Sequence, residues 1–164
     1  MNKRTLAEKV GHALKARGVT MAVAESCTGG GVAFAVTAIA GSSAWFDRGF
    51  VTYTNQSKQD MLDVSPQTLI TQGAVSEATV LEMATGALSH SDAKLALAIS
   101  GIAGPGGATA DKPVGTVCFA WVYGEAESQS EVKLFSGDRD AVRERSIIYA
   151  LQGVLRLLGK KSSV

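Results

Sequence analysis

The chain has 164 residues, of which 46% are hydrophobic and 19% charged, with a formal net charge of +1. That length supports one domain, spanning residues 1–164, with a core that needs neither disulfide nor metal to hold it. The balanced charge offers no basic stripe for nucleic acid and no polybasic segment for a membrane surface, and no apolar run approaches the ~18 residues of a spanning helix.

Leu6, Val10, Ala13 and Leu14 recur at helical spacing and predict an opening amphipathic helix that Gly18 stops. Thr20–Ala24 is a short apolar run of small residues and reads as a buried strand. It leads through Glu25–Gly30 into a second helix, Val32–Ile39. Gly41-Ser42-Ser43 breaks that helix. Phe50–Thr54 alternates β-branched and aromatic residues, which predicts a strand. Asn55 is placed to cap a short helix to Leu62, Pro66 to open another, and Ser76 to cap a longer one through Leu88. Leu95–Ser100 reads as a further buried strand, ending in the Gly-rich run Gly101–Gly107. Val114–Tyr123 and Gln129–Ser136 form the expected hairpin, and a terminal helix covers Arg139–Leu158. Strands alternating with helices predict an α/β fold: a three-layer α/β/α arrangement with a mixed, largely parallel sheet and a late antiparallel hairpin.

Met1–Lys15 scatters charges and has no apolar leader region, so a cytoplasmic protein is expected. Cys27 and Cys118 lie far apart with no CxxC, which argues against structural zinc and against a disulfide. No metal or organic cofactor is expected.

The segments Glu25–Gly30 and Ser100–Gly107 directly follow apolar strands, where loops of an open α/β sheet converge on a ligand crevice. Amides at Thr28-Gly29-Gly30 suit a phosphate at a helix N-terminus; tight turns explain the same glycines. No P-loop and no dinucleotide fingerprint is present. A nucleophile falls among Ser26, Ser43, Cys27 and Thr28. His12 and His90 both read as surface residues, so no Ser-His-Asp triad assembles from sequence. Lys58, after the strand that carries Tyr53, is the natural base if burial lowers its pKa; a solvated helix lysine is the plainer reading. Arg139 and Arg143 share a helix face and suit a phosphate or carboxylate, or else ion pairs with Asp140 and Glu144. Trp45, Phe46 and Phe50 read as core residues or as a stacking surface. Asp138 with Asp140, and Asp60 with Asp63, read as caps or solvated charges rather than metal ligands.

The motifs AESCTGG (24–30), GSSAWFDRGFVTYTNQSK (41–58), GAVSE (73–77), SGIAGPGG (100–107), KPVGTV (112–117) and FSGDRDAVR (135–143) together resemble the C-terminal domain of competence-damage-inducible protein A. The resemblance runs through nearly the whole chain in order, and is to the stand-alone nicotinamide-nucleotide amidase form of the family, without the N-terminal domain of its long members. It implies hydrolysis of the carboxamide of nicotinamide mononucleotide to nicotinate mononucleotide and ammonia, in pyridine-nucleotide recycling. It also implies a small-molecule nucleotide as partner, self-association to a homodimer or higher oligomer, and catalytic positions Ser26, Ser43, Tyr53 and Lys58. Ser43 lies nearer Tyr53 and Lys58 in sequence, so it is expected to be the nucleophile. Lys58 is then its base, Tyr53 orients or relays the proton, and Ser26 binds substrate. Glu25, Thr28, Gly29, Gly30 and Ser42, with Gly101, Ala103 and Gly104 of the SGIAGP loop and Arg139 and Arg143, are expected to hold phosphate, ribose or the amide oxygen. A non-catalytic nucleotide-binding homologue and a metal-dependent pyrophosphatase are the competing expectations.

Overall fold

A computed structural model of the chain describes residues 1–161. In chain order the elements are α1 (Lys3–Arg17), β1 (Met21–Glu25), α2 (Gly31–Thr37), β2 (Phe46–Val51), α3 (Asn55–Leu62), α4 (Pro66–Gln72), α5 (Glu77–Ser89), β3 (Leu95–Gly101), β4 (Thr116–Tyr123), β5 (Glu127–Leu134) and α6 (Arg139–Lys161), with one 3₁₀ turn at Ser42–Ala44. The sheet order is β2-β1-β3-β4-β5. β1 pairs in parallel with β2 and β3, whereas β4 runs antiparallel to both β3 and β5. Four of the five strands therefore point one way, the mixed and largely parallel sheet that the sequence predicts.

Side-chain alternation divides the core in two. Met21, Val23, Leu95, Leu97, Ile99, Phe119 and Trp121 face α1, α2 and α6. Ala22, Ala24, Ala96, Ala98 and Ala120 face α3, α4 and α5. The second face is built from methyl groups, so its helices approach closely. Gly86 of α5 marks the limit, since a Cβ there would lie 2.0 Å from the carbonyl oxygen of Leu62. Among the described residues no helix is long and apolar enough to cross a membrane.

Several element boundaries differ from the sequence expectation, α2 (Gly31–Thr37), the start of β4 (Thr116) and the end of α6 (Lys161) by one to three residues, and three others more informatively. β2 begins at Phe46 and ends at Val51, earlier than the Phe50–Thr54 alternation suggests. Its polar start, Asp47-Arg48-Gly49, lies on an edge strand that needs no apolar alternation and is held by pairing with β1. α3 is capped by Thr54 rather than Asn55: Thr54 Oγ1 accepts the Ser57 amide at 3.1 Å and Ser57 Oγ accepts the Thr54 amide at 3.0 Å. β5 starts at Glu127, because the turn takes only Gly124–Ala126 and Tyr123 pairs with Glu127.

Glu25, the last residue of β1, is fully buried. Its side chain turns to the α2 face and meets the start of that helix. Oε1 accepts the Thr28 hydroxyl at 2.7 Å and the Val32 amide at 2.8 Å, and Oε2 accepts the Ala33 amide at 3.0 Å. Gly30, the residue before α2, has no side chain to cap it, and the carboxylate supplies what the cap lacks. Both oxygens therefore accept hydrogen bonds from the start of α2 and the turn before it.

Two stability outcomes follow from these contacts. Gly86→Ala forces α5 away from Leu62 and should lower unfolding stability by about 3 kcal/mol. Glu25→Ala orphans two amides and a hydroxyl in a dry site and should cost about 3 kcal/mol, whereas Glu25→Gln keeps one acceptor oxygen and should cost less. Urea unfolding of the three variants against the parent measures both.

Candidate active site

β1, β2 and β3 end side by side, and the register that pairs Glu25 with Val51 and Ile99 carries on by one residue. The Ser26 amide donates to the Ile99 carbonyl at 3.0 Å, and the Thr52 amide donates to the Glu25 carbonyl at 2.8 Å. Thr52, Ser26 and Ser100 therefore form a row across the carboxyl ends of three parallel strands, where α/β sheets place their ligands. Alternation turns this row to the face opposite Glu25, the face that α3 covers.

Lys58 enters from the first turn of α3. It is only 1% exposed, and its Nζ is hydrogen-bonded to Ser26 Oγ at 3.0 Å and to the Thr52 carbonyl at 2.9 Å. Burial holds the Lys58 amine below the ordinary lysine value, because a desolvated ammonium is costly. A buried neutral amine hydrogen-bonded to a serine hydroxyl is an arrangement able to deprotonate that hydroxyl without histidine. His12 is exposed on α1, and His90, also exposed, pairs with Asp63 at 2.6 Å.

Ser43 and Ser42 are not brought to this pair. They lie in the 3₁₀ turn that precedes β2, and Phe46 at the start of β2 pairs with Met21 at the start of β1. The length of β1, about 13 Å of strand, therefore separates them from Ser26. Sequence proximity of Ser43 to Lys58 is misleading because β2 runs the length of the sheet between them. Trp45 sits at that same far end, buried with its ring against Gly11 as a core residue.

The turn after β1 supplies backbone donors. The amides of Cys27, Thr28 and Gly30 donate to no backbone carbonyl, and Gly29 and Gly30 adopt positive φ of 57° and 98° to present them. The α2 amides that a phosphate would use, Val32 and Ala33, are already taken by Glu25. Burial pushes the Cys27 thiol up to about 12, and that of Cys118 to about 11, so both stay protonated and weakly nucleophilic.

α6 fastens the two Gly-rich loops together. Arg143 Nε donates to the Cys27 carbonyl at 3.1 Å and its Nη2 to the Thr28 carbonyl at 3.4 Å. Arg139 Nη1 donates to the Gly104 carbonyl at 2.8 Å and its Nη2 to the Tyr53 hydroxyl at 2.9 Å. The alternative of ion pairing with Glu144 is not realised, since that carboxylate pairs with Lys3. Tyr53 is 57% exposed at the rim and bonds to neither Lys58 nor Ser26. Gly101 ends β3, and beyond it Ala103 lines a cavity of about 510 Å³ together with Pro105, Val114 and Gly137–Asp140, a lining that does not include Ser26 or Lys58. That volume lies in the range of small-molecule sites. Among the described residues no group of three His, Cys, Asp or Glu side chains is placed to hold a metal ion.

Sequence reasoning missed Thr52 and Ser100. The alternation in FVTYT and LALAIS carries their facing, but only the strand register puts them beside Ser26.

The family described as CinA C-terminal domain matches residues 3–158. The chain is 58% identical over 147 residues to nicotinamide-nucleotide amidohydrolase PncC of Escherichia coli K12, covering 90% of this chain and 89% of that protein. Among solved structures, the CinA superfamily protein of Klebsiella pneumoniae 700603 superposes with a TM-score of 0.94 at 40% identity, covering 98% of this chain and 99% of that one. The competence/damage-inducible protein of Agrobacterium tumefaciens superposes at 0.91 with 45% identity, covering 94% of each chain. With a family match across nearly its whole length and relatives this similar, the chain belongs to the CinA C-terminal domain family.

Proposed function

We propose that the protein hydrolyses the carboxamide of nicotinamide mononucleotide, with Ser26 as nucleophile and Lys58 as base. The carrying observation is the 3.0 Å contact between Lys58 Nζ and Ser26 Oγ inside a dry site at the carboxyl ends of the parallel strands. The PncC name borne by the Escherichia coli relative supports the substrate.

The neutral Lys58 amine takes the Ser26 hydroxyl proton as Oγ bonds to the carboxamide carbon. The amides of Cys27 and Thr28, which donate to no backbone carbonyl, supply donors for the charge that develops on the amide oxygen, a role worth about 3 kcal/mol per donor. The C–N bond then breaks, and the proton on Lys58 passes to the departing nitrogen, which leaves as ammonia. A water gives its proton to Lys58 while its oxygen attacks the ester, and nicotinate mononucleotide departs as Ser26 regains a proton. Arg139, which lines the cavity, and Arg143, which braces the turn after β1, favour an anionic substrate through their remaining N–H groups. Ser43, distant from this chemistry, has no part in it. Self-association to at least a dimer and use in pyridine-nucleotide recycling belong to the same reading through the family.

Purified protein without added metal, given nicotinamide mononucleotide, should release ammonia and nicotinate mononucleotide in equal amounts. Ser26→Ala and Lys58→Ala should each lose at least about 10³-fold in kcat, while Ser43→Ala stays near the parent. A fully active Ser26→Ala overturns the nucleophile. Nucleotide that stabilises the protein without turnover would mark a binding homologue, and activity lost in EDTA would favour metal-assisted chemistry. The pH profile has a definite sign. Only the neutral amine is a base, so kcat/KM rises with pH as Lys58 loses its proton. Because burial lowers its pKa, that rise should be complete below the ordinary lysine range, which a stopped assay across alkaline pH measures.

A further inference from the structure

Thr52 is fully buried and its backbone is completely used, the amide on Glu25 and the carbonyl on Lys58. Its hydroxyl is not: Oγ1 is enclosed and has no hydrogen-bond partner. A buried unpaired hydroxyl is a standing cost that valine, of nearly the same shape, would avoid. A threonine here needs a reason, and the adjacent amine supplies one. An ammonium carries three N–H donors. Ser26 Oγ and the Thr52 carbonyl account for two of them, and among the described residues no further acceptor contacts Lys58 Nζ.

Other charged groups are turned elsewhere. Glu25 is on the opposite face of β1, bonded to α2. Cys27 is a protonated thiol. Arg143 is bound to the Cys27 and Thr28 carbonyls, and Arg139 to Tyr53 and Gly104. On α5, Glu82 is bonded to the Ser65 amide and the Thr68 hydroxyl, and Glu77 to Ser130. On α3, Asp60 is bonded to Gln56 and Asp63 to His90. Among the described residues no carboxylate therefore meets the charge that appears on Lys58 when it takes the serine proton.

We infer that Thr52 is a positioning residue whose hydroxyl, by rotation about χ1, accepts the third N–H of Lys58 in its protonated state. The inference rests on the Ser26–Lys58 reading. The hydrogen bond strengthens when the amine becomes charged, so it aids proton transfer from Ser26 and does little for substrate binding.

The test compares Thr52→Val, Thr52→Ala and Thr52→Ser with the parent by full pH–rate profiles and thermal unfolding. Thr52→Val should lower kcat about tenfold with KM unchanged, and should move the acid limb of kcat/KM about one pH unit lower, because the ammonium has lost an acceptor. Its melting temperature should not fall, since an orphan hydroxyl has been removed. Thr52→Ser keeps the hydroxyl and should restore the profile. Thr52→Ala should show the same kinetic shift, and serves if the valine does not fold. An acid limb and kcat unchanged in both Thr52→Val and Thr52→Ala overturn the inference, as does an effect confined to KM or to stability. Lys58→Ala run alongside separates the two levels. If it turns over normally, the Ser–Lys reading itself fails; if it is dead while the Thr52 variants are normal, only the role of Thr52 falls.

Discussion

The burial of one lysine organises this site. An ammonium at 1% exposure has almost no water to hold it, so either its partners compensate or its proton leaves. Here Nζ meets a hydroxyl and a carbonyl, both neutral. Neutral partners orient an amine without holding it charged, as a carboxylate would. The environment therefore favours the basic form, and the hydroxyl it points to is that of Ser26.

Everything nearby serves to hold that arrangement. Strand geometry sends adjacent residues to opposite faces, and β1 uses this at its last step. Glu25 goes to one side and binds the start of α2, while Ser26 goes to the other and meets Lys58. The carboxylate is thus kept from the lysine although its residue is next in sequence to the serine, and its bonds to Val32 and Ala33 hold the turn between them. α6 does the corresponding work across the sheet: Arg143 ties down the turn after β1, and Arg139 ties the loop after β3 to Tyr53. Both arginines are spent partly on architecture, and among the described residues neither has an ion-pairing partner.

The alanine face of the sheet is the other requirement. The helix against the alanine face of β1 and β3 is α5, and α3, which carries Lys58, packs on α5 where Gly86 lets the two helices meet at the Leu62 carbonyl. Larger side chains on that face would lift α5 and with it α3, and so withdraw the amine. The thicker layer of Phe119, Trp121 and Leu residues lies on the opposite face, under α6.

Sequence by itself determined the layered α/β arrangement, the helix starts at Pro66 and Ser76, the two Gly-rich loops at strand ends, and Lys58 as the candidate base. These follow from local periodicity, caps and turn chemistry, which act within a few residues. It also carried the family motifs, within which both Ser26 and Ser43 stand. It did not reveal which serine meets the lysine, because proximity along a chain reverses across a strand: Ser43, fifteen residues from Lys58, lies at the far end of β2, whereas Ser26, thirty-two residues away, lies beside it. Nor did it reveal that Glu25 caps α2 or that Thr52 and Ser100 flank Ser26. Those facts depend on which strands pair and in what register, and register is set by the packing of distant segments against one another rather than by any segment alone.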